Sequence, residues 1–156
     1  MRTANTRRRS LDASRLLHPR YESGTLAVAV VVLRIAAGVV FVSVATGKFA
    51  NHAMEAVDFD RYGVPVPDVA VYAVGTVELV CGFLLIAGLL TRPAAAALAL
   101  TMVGAIVTAG RVEGGSFNLG VAPTLLLVML ALIWVGSGPL SIDPILERRL
   151  SASSRM

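Results

Sequence analysis

Four long apolar runs, separated by short polar segments, set the pattern of this chain. They are Leu26–Phe49, Val69–Leu90, Pro93–Gly110 and about Leu119–Gly136. Backbone in hydrocarbon must satisfy its own hydrogen bonds, so an apolar run of about 20 residues reads as a membrane-spanning helix. Pro93 and Pro123 fall near the starts of the third and fourth runs, where a missing N–H is harmless. The pattern predicts an all-α polytopic membrane protein, a bundle of four transmembrane helices. The connections differ in kind. "LLTRPA" is a tight turn. Ala50–Asp68 is longer and amphipathic, and predicts a short interfacial helix followed by a rigid turn into the second span. Within it, "GVPVP" is expected to be extended, because proline disfavours helix in the residue before it. "RVEGGSFN" is glycine-rich and expected to be mobile.

Composition supports the same class. Of 156 residues, 56% are hydrophobic and 15% charged, and the mean hydropathy is +0.75. A soluble domain of this length needs more polar surface. Cys81 is the single cysteine, which excludes an internal disulfide and a CxxC redox pair. With two histidines besides, no dedicated metal site is expected. The net charge of +4 does not point to nucleic acid, because Arg2, Arg7, Arg8, Arg9, Arg15 and Arg20 all precede the first span. Basic residues there read as a topology signal beside anionic lipid.

Orientation follows from the same residues. With a cytoplasmic N-terminus, the inner side holds those six arginines, Arg92, Arg148, Arg149 and Arg155. The outer side then holds Lys48, Arg61 and Arg111. The bias places both termini in the cytoplasm and Trp134 near the inner interface. "TRRRSL" superficially matches a twin-arginine signal, but the following run is longer than a signal's apolar region and contains Arg34. Residues 1–24 are therefore expected to be a disordered basic tail, 25–146 the membrane domain and 147–156 a short second tail.

Arg34, Gly38, Phe41, Ala45 and Lys48 share one face of the first helix. Gly75, Glu78 and Gly82 share one face of the second, and Ala97, Thr101, Gly104 and Thr108 form a small-residue stripe on the third. Gly38, Gly75, Gly82 and Gly104 are the candidate packing residues, since glycine lets helices approach closely. Counted along the runs at 1.5 Å per residue, Arg34 lies roughly 13 Å and Glu78 roughly 18 Å from the inner end. A charge at that depth is costly unless neutralised, so Arg34 is expected to pair with Glu78. Such a pair either fixes helix register or lines a polar pocket for a ligand head group or a proton. Lys48 is expected to snorkel to the outer interface or to form a cationic rim facing Glu55 or Asp58. His52 reads as an ordinary exposed histidine, Cys81 as a packing residue, and Tyr72 and Trp134 as interface anchors.

Together these segments resemble the DoxX family of small four-helix membrane proteins. "LRIAAGVVFVSVATGKF" is similar to the family's first-helix pattern, and "YGVPVP", "VELVCGFLLIAGLLTRPAA" and "GSGPLSID" follow in order over about residues 28–146. The resemblance implies a link to thiol and sulfur redox metabolism and oxidative stress. It also implies a membrane subunit or anchor of an oxidoreductase complex that passes electrons to quinone. Arg34, Lys48 and Glu78 are the polar positions in the family-like motifs, hence the candidate ligand-binding residues; no catalytic residue is assigned. The chain has no cysteine pair, haem-ligating histidine pair or nucleotide fingerprint, so it carries no intrinsic cofactor and is not expected to act as an enzyme alone. Quinone is the candidate cofactor. The candidate partners are membrane lipid, a soluble redox or stress protein and further copies of the chain, in a bacterial cell membrane. A small-molecule or proton permease and a non-catalytic scaffold are the alternative readings.

Overall fold

A computed structural model describes residues 24–113 and 120–136. Those residues form helices α1 (Gly24–Ala50), α2 (His52–Arg61), α3 (Pro67–Ala87), α4 (Thr91–Val107), α5 (Ala109–Val112) and α6 (Ala122–Val135). Three segments are long and apolar enough to cross a membrane: Gly24–Ala50, Pro67–Ala87 and Thr91–Val112. Ala122–Val135 is a shorter apolar helix. The chain is an integral membrane protein built as a helical bundle. The expected terminal tails and the glycine-rich stretch at 114–119 lie outside the described residues.

The helices associate as two antiparallel pairs. α1 packs chiefly on α3 and α4 on α6, and the α3–α4 contact joins the pairs. The first seam is formed by the face anticipated from spacing: Arg34, Ala37, Gly38, Phe41, Ala45 and Lys48 are buried on α1, and Val71, Gly75, Glu78, Gly82 and Leu85 on α3. Glycine makes the approach close. A Cβ added at Gly38 would lie 2.8 Å from the Gly82 carbonyl oxygen and 2.7 Å from Ile86 Cγ1. One added at Gly82 would lie 3.1 Å from the Gly38 carbonyl oxygen and 2.9 Å from Val42 Cγ2. Farther along, Gly75 receives the Phe49 ring, whose Cζ would stand 3.2 Å from an added Cβ. These contacts fix one antiparallel register.

The second seam departs from expectation. α4 buries Ala94, Ala95, Leu98, Ala99 and Met102 against Ala122, Met129 and Leu132 of α6, not the stripe through Thr101 and Thr108. Gly104 is exposed, and an added Cβ there meets nothing within 4 Å, so it is not a packing glycine. The physical reason is that α4 is apolar all round, and composition then says little about which face turns inward. Thr101 and Thr108 return their hydroxyls to the Leu98 and Gly104 carbonyls of their own helix. Trp134 projects from α6 with 86% of its surface exposed.

α3 ends at Gly88, whose φ of +68° closes the helix by N–H donation to the Leu84 and Leu85 carbonyls. α4 starts after Leu90, also left-handed at φ +48°. At the other end the expected extended "GVPVP" turn is tighter: Val66, between two prolines, takes φ +53° as the chain reverses into α3. That conformation is uncommon for a β-branched residue.

The seam yields a controlled comparison. Gly38→Ala drives a methyl into the Gly82 carbonyl and is expected to destabilise the bundle by roughly 1–3 kcal/mol. Gly104→Ala meets open space and is expected to be neutral or slightly stabilising, by up to about 1 kcal/mol, as in other helix interiors. Thermal unfolding of both variants in the same detergent measures the difference.

Candidate functional site

The α1–α3 seam carries its charges at opposite ends. Lys48 Nζ lies 2.9 Å from Glu78 Oε2, and Glu78 is 2% exposed. Arg34 is equally buried, but its guanidinium lies against Gly88, where an added Cβ would stand 2.6 Å from Nη1. Gly88 is thus required both for its positive φ and for the space Arg34 fills. Gly88 lies about ten residues, roughly 15 Å along the axis, from Glu78. The expected Arg34–Glu78 pair is therefore replaced by Lys48–Glu78.

Side-chain direction explains the exchange. Long helical side chains lean toward the N-terminus of their own helix. In an antiparallel pair, Arg34 and Lys48 on α1 lean one way and Glu78 on α3 leans the other. Lys48 and Glu78 therefore lean toward each other, whereas Arg34 and Glu78 lean apart. Lys48 does not snorkel to an interface; it reaches back into the seam and is 9% exposed. The ammonium is at hydrogen-bonding distance from Glu78 Oε2, and a carboxylate has more acceptor positions than one ammonium contact fills. A carboxylate oxygen in the buried seam therefore keeps acceptor capacity.

α2 sits over this end of the seam. It packs on α3 and α1, and Glu55 is close enough to act electrostatically on Glu78. His52 is half-buried rather than exposed. Its ring stacks on Tyr72 with centroids 4.1 Å apart; its Nε2 is 3.2 Å from the Asp68 carbonyl oxygen and its Nδ1 3.9 Å from the Asp68 carboxylate. Phe49 lies beside the same Tyr72, with ring centroids 6.1 Å apart. Spacing along the chain gave no sign of this group, because its members flank a loop and share no helical period.

The far end of α2 meets the end of the third span. Arg61 Nη1 is 3.7 Å from Asp58 Oδ1 and 3.6 Å from Glu113 Oε1. Burial raises the Tyr62 phenol above its usual range, and its hydrogen bond with Glu113 adds to the effect. The phenol therefore stays protonated through neutral pH and donates to Glu113. Among the described residues no cluster of histidine, cysteine, aspartate and glutamate could hold a metal ion.

The sequence model of the DoxX family matches residues 29–111, just over half of the chain. The chain belongs to the DoxX family. The matched segment contains the whole α1–α3 seam, including Arg34, Lys48 and Glu78. This DoxX protein is 36% identical to an uncharacterized membrane protein of Mycobacterium tuberculosis, over 79% of this chain and 84% of that one. It is 30% identical to a Bacillus subtilis protein named "Putative oxidoreductase CatD", over 82% of this chain and 90% of that one. No solved structure matches it.

Breaking a buried pair strands the remaining charge at a penalty of about 3–5 kcal/mol, whereas removing both partners does not. Lys48→Met and Glu78→Leu are each expected to lower folded yield sharply. The double variant is expected to recover most of it. Size-exclusion profiles and thermal stability of the three proteins provide the check.

Proposed function

We propose that this DoxX protein is the membrane subunit or anchor of an oxidoreductase complex and binds the polar head of a small redox ligand, a quinone, at Lys48 and Glu78. The observation that carries the reading is the buried Lys48–Glu78 contact within the membrane-spanning seam. A scaffold needs only a neutral seam, and Gly38 and Gly82 already fix its register without charge. The similarity to a protein named as an oxidoreductase supports the reaction class.

The residues present fit such a ligand. Lys48 has an ammonium to donate to a carbonyl oxygen, and Glu78 accepts from a hydroxyl while holding Lys48 in place. Phe49 and Tyr72 supply aromatic surface beside them. A quinone would supply electron transport within the lipid phase. The soluble redox protein of the complex would supply the electrons, since a lone Cys81 forms no dithiol within one chain. Arg34 is not part of this site; its position against Gly88 makes it a residue of the opposite end. On the lysine and arginine bias, that opposite end faces the cytoplasm of a cell membrane and the Lys48 end faces outward.

Native mass spectrometry of protein extracted from its own membranes tests the reading. Wild type is expected to carry a quinone or a soluble oxidoreductase, and the folded Lys48→Met/Glu78→Leu double variant to lose it. If a folded Lys48→Met/Glu78→Leu double variant keeps full cellular function, the pair is architectural and the scaffold reading replaces this one. Uptake of solute or protons by liposomes holding this protein alone would instead favour a permease. For orientation, an alkaline phosphatase fusion at the C-terminus is expected to be inactive and a fluorescent-protein fusion active.

A further inference from the structure

The Lys48 end of the seam carries α2, a short helix packed on α3 and α1. α2 contributes no buried residue. It packs on α3 and α1 through half-buried side chains such as Glu55 and Phe59, and it makes one stacked ring pair and polar contacts to the start of α3 and the end of the third span. Arg61, which makes one of these contacts, is 58% exposed, and exposed ion pairs hold weakly. The seam beneath is backbone against backbone at Gly38 and Gly82. Such a difference in packing separates a unit that opens locally from one that opens only with the whole fold. Glu55 of α2 lies within electrostatic reach of Glu78, the partner of Lys48. A displaced α2 takes one of the two carboxylates away and leaves Lys48 and Glu78 facing water.

We infer that α2 is a gate over the Lys48–Glu78 site, closed in this structure, which opens by swinging away from α3 and Glu113 while the α1–α3 seam stays intact. His52, stacked on Tyr72, is the latch at one end of the gate, and Arg61 with Tyr62 on Glu113 the latch at the other. The route for a polar-headed ligand is through this end and not past Arg34. That purpose rests on the ligand reading above. The opening of the gate does not, and it is testable without any ligand.

The reporter is Val71→Cys in a Cys81→Ser background. Val71 is fully buried near the start of α3, between Asp68 and Tyr72, which α2 contacts. Ala95→Cys, equally buried near the start of α4, is the control. Full-length protein in lipid nanodiscs is treated with a water-soluble maleimide at fixed pH. Cutting both latches with His52→Ala and Glu113→Ala is expected to raise labelling at position 71 by about tenfold or more, and at position 95 by less than about twofold. No rise at 71, or an equal rise at both, overturns the gate. In the unmodified protein, amides of 53–61 are expected to exchange with deuterium at least about 100-fold faster than those of 75–85. Equal protection of the two segments also overturns it. A gate that opens in a protein that carries no quinone leaves the gate standing and removes only the ligand reading.

Discussion

The close approach of α1 and α3 at Gly38 and Gly82 is the constraint on which the rest depends. Without a hydrophobic drive between helices in lipid, packing and polar contacts must hold them together. Two glycines that bring backbone onto backbone supply that packing, and they do so in only one register. With the register set, every other residue of the seam has an assigned neighbour. Phe49 falls on Gly75, Arg34 on Gly88, and Lys48 comes within reach of Glu78. The ion pair is therefore a consequence of the glycine contact together with the lean of side chains on antiparallel helices. It is not the cause of the pairing.

The two helix pairs play different parts. α4 and α6 meet through alanine, leucine and methionine, and neither brings a charge into the bundle. Among the described residues, the buried charges lie on α1 and α3. The connection between those two helices also forms an element of its own, α2. The Lys48–Glu78 pair and the helix over it are thus built by one continuous stretch of chain, from Lys48 to Glu78, and the family match spans all of it. The second pair completes the bundle and supplies Glu113, against which the cover rests.

Periodicity showed which faces of α1 and α3 turn inward, because glycine and charge mark a face even when everything around them is apolar. It failed on α4, where small residues and threonines looked like a seam and were not. A helix apolar on all sides has little amphipathic signal to read. The charges were found but paired wrongly. Depth was counted from the ends of apolar runs, and α1 extends well past the Gly88 turn, so Arg34 sits lower against α3 than the count implied. The His52, Tyr72 and Asp68 group was not legible at all. It exists only once the loop between the first two spans has closed.

Trp134 is the single tryptophan of the chain, and it stands almost wholly outside the bundle on α6, the helix that carries no charge. Its emission therefore reports the acyl chains and head groups around it, not the protein interior. An optical signal from this molecule is a gauge of depth in the bilayer. It would register insertion of α6 and stay silent while the glycine seam forms or the cover moves, so those events need a label of their own.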